Sequence, residues 1–148
     1  MTTETIPVRR FSIQFDSSSA NESFARGVIT SFLAPLDPTL EEMTEIKTAV
    51  SEAVSNCIIH AYRDKAGMIH MACDASSDGR IRIIIRDSGK GIENVEQAMM
   101  PLFTTGNGDR SGMGFTVMES FMDRVTVHSE PEKGTEVIMI KKLDVGYE

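Results

Sequence analysis

Glu52, Asn56 and His60 recur every fourth residue in the run Glu-Ala-Val-Ser-Asn-Cys-Ile-Ile-His-Ala-Tyr. On a helix that spacing stacks all three on one face. A carboxylate in such a place can take a proton from a nucleophile. A carboxamide oxygen one turn away can ligate a hard cation such as Mg²⁺. The pair is also what any solvated helix face carries. Leu40, Met43, Ile46, Val50, Ala53, Val54, Cys57, Ile58 and Ala61 supply an apolar stripe on the other side.

Two glycine clusters follow. Ile81-Arg-Ile-Ile-Ile-Arg86 runs into Asp87-Ser-Gly89-Lys-Gly91-Ile92. A carboxylate at a strand end can accept a hydrogen bond from an exocyclic amine. Glycines beside it remove the Cβ that would block a flat ring. An Asp-x-Gly is equally an ordinary turn with an Asp cap. The second cluster, Ser111-Gly112-Met-Gly114-Phe115, opens the apolar-periodic run Phe115, Val117, Met118, Phe121, Met122. Backbone N–H groups at such a helix start favour phosphate oxygens, though the same pattern serves as a plain loop.

These residues need a scaffold, and the pattern predicts one. Phe11, Ile13 and Phe15 alternate as a half-buried strand. Ser19-x-x-Glu22 reads as a capping box that opens a helix reaching about Ala34, where Pro35 stops it. Asp37 is expected to cap a second helix, with Pro38 in its first turn, running to about Tyr62. Met68–Asp74 and Arg80–Asp87 read as strands joined at Ser76-Ser-Asp-Gly79. Short helices are expected over Asn94–Met99 and Met113–Asp123. Val125–Ser129 and Thr135–Lys141 then form a second hairpin around Pro131-Glu-Lys-Gly134. The order β-α-α-β-β-α-α-β-β implies an α+β two-layer sandwich.

Glu-x-x-x-Asn on a helix, Asp-x-Gly-x-Gly after a strand and Gly-x-Gly before another helix, in that order, resemble the three nucleotide boxes of the GHKL ATP-binding superfamily. Residues 93–111 resemble that superfamily's lid, and Gly134-Thr135 its adenine-side threonine. The resemblance narrows along Asn21–Arg26, Leu36–Thr39, Thr44–Asn56, Pro101–Thr105, Arg110–Phe115 and Phe121–Asp123. These stretches, spread over about residues 11–140, are similar to the anti-sigma serine kinases of endospore-forming bacteria.

That resemblance implies a single GHKL-type (Bergerat) domain over 1–148, a mixed, mostly antiparallel sheet with helices on one face, and a nucleotide between helices and lid. It implies an ATP-dependent protein-serine kinase that sequesters the sporulation sigma factor, sigma F, and phosphorylates an anti-anti-sigma partner. It implies a homodimer and ATP/ADP with Mg²⁺ as cofactors. By the same resemblance Glu52 is the catalytic base and Asn56 the Mg²⁺ ligand. Asp87 reads adenine with help from Thr135, and Gly89 and Gly91 give the base room. Gly112 and Gly114 open backbone N–H groups to the phosphates. Thr104, Thr105 and Arg110 close over the γ-phosphate, Arg110 being the lid's one cation in a glycine-rich stretch, Gly106-Asn-Gly108. Thr104 and Thr105 are equally ordinary loop residues. Arg26 contacts protein partners or is simply a solvated helix arginine. Cys57 is expected only to pack, and His60 to support its helix face.

The bulk composition fits. A chain of 148 residues, 41% hydrophobic and 25% charged, is ordinary for one soluble domain with a real core. A net charge of −7 argues against direct nucleic-acid binding but suits a basic sigma factor. Cys57 and Cys73, both in apolar contexts, fit reduced core residues in a cytoplasmic protein. The start has no signal-peptide h-region, and no run approaches membrane-spanning length. His60, His70 and His128 lack metal-ligand spacing. Three other readings share the motifs: a kinase of a general-stress partner switch, an ATPase driving a conformational cycle, and a nucleotide-dependent sigma-binding module without kinase activity. The second normally needs a transducer domain after the ATP site. A base-capable Glu52 argues against the third, since binding alone needs no base.

Overall fold

The computed structural model describes residues 7–63, 65–100 and 114–144. Five strands, β1 (Pro7–Asp16), β2 (Met68–Ser76), β3 (Arg80–Asp87), β4 (Arg124–Glu130) and β5 (Gly134–Lys142), form one sheet in the order β1-β2-β3-β5-β4. All four pairings are antiparallel. The helices are α1 (Asn21–Leu33), α2 (Leu40–Asn56), α3 (Val95–Ala98) and α4 (Gly114–Phe121). This is the expected α+β sandwich.

The sheet's alternation decides which face is covered. Ile69, Met71, Cys73 and Ala75 of β2, Ile81, Ile83 and Ile85 of β3, and Val137 and Met139 of β5 are buried. Ile29 and Leu33 of α1, Ile46, Val50 and Val54 of α2, and Met118 of α4 join them in one core. Each such isoleucine, leucine, valine or methionine contributes about 1.5–3 kcal/mol on leaving water, several times what helix propensity supplies per residue. The helices are therefore held by the sheet. The other face carries cross-strand ion pairs, Arg82–Asp74 at 3.1 Å and Arg86–Glu136 at 3.5 Å.

Helix starts differ from expectation. Ser19 does not cap α1. Ala20 occupies the cap position without a side-chain bond, and Glu22 turns instead to Arg26, 3.4 Å away. The turn before α1 is tied by Asp16, which accepts from Ser18 N–H at 3.1 Å and from the Asn21 amide at 2.9 Å. Asp37 does not cap α2 either. It takes a left-handed φ of 53° and closes a short 3₁₀ turn, Ala34–Leu36. Thr39 caps α2 through a true capping box: its hydroxyl accepts from Glu42 N–H at 3.0 Å, and Glu42 accepts from Thr39 N–H at 2.8 Å. Leu40, expected in the apolar stripe, is 86% exposed, because it sits in the first turn of α2, outside the contact with the sheet.

The end of α2 is unusual. Cys57–Ala61 winds as one π turn, with Tyr62 N–H donating to Cys57 C=O at 3.0 Å. Such single turns inside helices gather at functional sites.

Candidate functional site

The sheet register sets the floor of the site. Asp87, the last residue of β3, pairs with Thr135, near the start of β5. Both side chains share the parity of the core residues, so both point under the helices, and both are buried. The Asp87 carboxylate accepts Gly89 N–H at 2.9 Å and is also hydrogen-bonded by the Cys57 thiol and Thr135 N–H. Burial raises the Asp87 carboxyl above its ordinary range, while those donors pull the other way. Burial, then the charge of Asp87, push the Cys57 thiol well up. The thiol therefore stays protonated and is a donor. Cys57 does more than pack.

The loop after Asp87 is clasped from two sides. Lys90 N–H donates to Ala61 C=O at 3.1 Å, at the π turn. Tyr62 OH donates to Met68 C=O at 2.6 Å and accepts Ser88 N–H at 2.7 Å. From the other side Glu132 N–H reaches Lys90 C=O at 2.6 Å, and Ile92 N–H reaches Ser129 Oγ at 2.8 Å. Gly91 has φ +76°, and a Cβ there would fall 2.0 Å from Glu130 C=O. Only glycine fits. Gly89 is shaped by packing as well: a Cβ there would fall 2.5 Å from Ala61 C=O, so its missing side chain admits the end of the helix.

Above this floor lies a cavity of ≈ 510 Å³, within the range of small-molecule sites. Asn56, Asp87, Gly91, Gly114 and Thr135 all line it, so five of the expected residues meet. Ala53, Cys57 and Ala61 wall it as well. Part of the apolar stripe thus belongs to the cavity. His60, expected to support its helix, also borders it, with Arg63 and Lys90 as cations.

Glu52 stands beside Asn56 where α4 begins. A Cβ on Gly114 would lie 3.3 Å from both polar atoms of the Asn56 amide and 3.3 Å from Glu52 Oε1. The two polar groups are thus packed directly against the helix start. The absence of a Cβ leaves a cradle there with a hard oxygen donor, Asn56 Oδ1, and a carboxylate, a donor set that fits Mg²⁺.

Arg26 projects from α1 to α2, donating to Ser51 Oγ at 2.8 Å. It is therefore a strut between helices as well as a half-exposed cation. Thr104, Thr105, Arg110 and Gly112 lie outside the described residues. Among the described residues no cluster of His, Cys, Asp and Glu could by itself hold a metal ion, and no helix is long and apolar enough to cross a membrane. Cys57 and Cys73 are both free and buried.

The sequence reading did not single out Ser129, Tyr62 or the thiol role of Cys57. Their partners are fixed by strand pairing and by the π turn, neither of which leaves a local signal.

Known proteins resemble this chain closely. The histidine kinase-like ATPase domain family matches residues 15–141. The anti-sigma F factor of Caldanaerobacter subterraneus subsp. tengcongensis is 58% identical over 132 residues, covering 88% of this chain and 92% of that protein. The anti-sigma F factor of Clostridium acetobutylicum is 52% identical over 135 residues, or 90% and 94% of the two chains. Among solved structures, the RsbU and RsbW domains of a Mycobacterium tuberculosis protein match with TM-score 0.68 at 19% identity, over 93% of this chain and 33% of that one. The catalytic domain of the histidine kinase ThkA matches with TM-score 0.56 at 15% identity, over 90% and 96%. At such identities the structural likeness speaks for the fold alone.

Proposed function

The chain belongs to the anti-sigma F factors, within the histidine kinase-like ATPase domain family, and from that premise we propose that it sequesters sigma F and phosphorylates a serine of an anti-anti-sigma protein with ATP. The observation that carries this reading is the cavity in which Asp87 and Thr135 form the floor and Asn56 and Gly114 the wall, with Glu52 beside them.

Asp87 accepts the exocyclic amine of adenine. Asn56 would hold Mg²⁺, which when bound supplies positive charge to the phosphates. Gly112 and Gly114, the glycines of the Gly-x-Gly pair, leave backbone N–H groups for phosphate oxygens. Glu52 takes the proton of the partner's serine hydroxyl. The seryl oxygen bonds to the γ-phosphorus as the bond to the bridging oxygen breaks and ADP leaves. Thr104, Thr105 and Arg110 contact the γ-phosphate from the lid.

Arg26 is the proposed partner contact. Its bond to Ser51, the neighbour of Glu52, ties the docking surface to the reacting end of the site. The acidic chain, at −7, complements the basic surfaces of a sigma factor. A homodimer in the cytoplasm is the state in which it acts.

The test is a mixture of this protein, γ-labelled ATP, Mg²⁺ and an anti-anti-sigma protein, followed by phosphoamino-acid analysis. Phosphoserine on the partner is the expected result. Sigma binding that depends on nucleotide, with no label transferred, would identify a binding module instead. Transfer to a stress-pathway partner in preference to a sporulation one would reassign the pathway.

A further inference from the structure

Ser129 Oγ lies within hydrogen-bond distance of three groups. Ile92 N–H donates to it at 2.8 Å, it reaches Gly134 C=O at 2.9 Å, and it lies 2.8 Å from Thr135 Oγ1. Two hydroxyl protons must serve the two oxygen–oxygen contacts. The carbonyl has no proton to give, so the Ser129 proton goes to Gly134 C=O. The Thr135 proton must then go to Ser129. Any other assignment leaves two oxygens facing each other at hydrogen-bond distance with no proton between them. Ser129 thereby fills one donor and two acceptor directions, its whole capacity.

Thr135 is left with its proton turned to Ser129. What its oxygen offers to the cavity it lines is a lone pair. Asp87, its partner across the ladder, also offers acceptors.

We propose that Ser129 is a specificity-determining residue that acts through Thr135: by holding the threonine proton it makes the cavity floor all acceptor, selecting a ring with an exocyclic amine over one with a carbonyl at that place. The proposal rests on the reading of the cavity as an adenine-nucleotide site. Ser129 is a positioning residue and touches no ligand itself.

The experiment compares the affinities of ATP and inosine triphosphate, which carries a carbonyl where ATP carries the amine, in the full chain. Wild type prefers ATP. Ser129→Ala frees the threonine proton to rotate and donate, so the preference narrows roughly five- to tenfold, the scale of one hydrogen bond. Ser129→Thr, which keeps the hydroxyl, holds the wild-type ratio. Thr135→Val also narrows the ratio, and Ser129→Ala added to it changes the ratio no further. If Ser129→Ala does not fold, Ser129→Cys takes its place, since sulfur is a poor acceptor for the threonine proton, with the same narrowing expected. Equal weakening of both nucleotides, ratio unchanged, makes Ser129 merely structural and overturns the proposal, as does an unchanged ratio in Thr135→Val. A wild-type chain that binds neither nucleotide overturns the cavity assignment itself, and this proposal with it.

Discussion

Asp87 and Thr135 face each other across the β3–β5 ladder, both buried beneath the helices. A carboxylate in that position is expensive. Burial raises its carboxyl above the ordinary range, so the folded state binds the proton more tightly than the unfolded chain does. The stability this group contributes is complete below the unfolded pKa and is lost as pH rises through the folded one. At neutral pH ionised Asp87 thus works against folding. Asp87→Asn should retain the fold at pH 7, yet should abolish preference for ATP, because half of its group becomes a donor facing an amine. Thermal melts and titrations with ATP and GTP check this. A wild-type preference for ATP in the variant returns Asp87 to the role of a turn cap.

The same shift gives a pH dependence. Only the ionised carboxylate has both oxygens available as acceptors. ATP affinity should therefore fall as pH drops through the raised pKa of Asp87, beginning above the usual aspartate value of about 3.9. Calorimetric titrations from neutral to mildly acidic pH should show this limb in wild type. The limb should be missing from the residual nucleotide binding of Asp87→Asn.

Glu52 and Asn56 lie within one cradle but should fail differently. Glu52→Gln keeps shape and loses basicity. It is expected to bind Mg-ATP within a few fold of wild type and to transfer phosphate about 10²-fold more slowly, the scale of a lost general base. Transfer near the wild-type rate would remove Glu52 from the chemistry. Asn56→Ala loses an oxygen that matters only with a cation. Nucleotide binding should weaken far more in Mg²⁺ than in EDTA; equal losses would make Asn56 structural.

Much of this site was legible in the chain, for physical reasons. Glu52 and Asn56 stand one turn apart on the face opposite a periodic apolar stripe, Asp87 ends a β-branched run, and Gly114 opens an apolar-periodic one. Such spacings within a segment are visible without a structure. Caps were less legible. Ser19-x-x-Glu22 and Thr39-x-x-Glu42 carry the same pattern, yet only the second forms the box. Glu22 has Arg26 one turn ahead and pairs with it instead. The packing of Gly89 against Ala61 and the role of Ser129 were missed because those neighbours, Ala61 and Thr135, arrive by the π turn and by strand pairing. No spacing within a segment encodes either.

Gly114 offers a test in which stability and activity should separate. It is the first described residue of α4, where alanine is a better helix former than glycine by up to about 1 kcal/mol. On that ground alone Gly114→Ala should leave the melting temperature unchanged or slightly higher. The new methyl, however, would lie 3.3 Å from the Asn56 amide and from Glu52 Oε1, closer than ordinary van der Waals contact. Side chains can yield by a few tenths of an ångström, so the fold accommodates it. The two groups that yield are the proposed metal ligand and the proposed base, and misplacement on that scale matters when reacting atoms must be aligned. Phosphoryl transfer should fall by roughly tenfold or more while the protein melts no earlier than wild type. Measuring both on one preparation decides the point. A variant that melts much earlier would show Gly114 to be required for packing, and one that transfers phosphate at the wild-type rate would show that the contact with Glu52 and Asn56 does not govern the reaction.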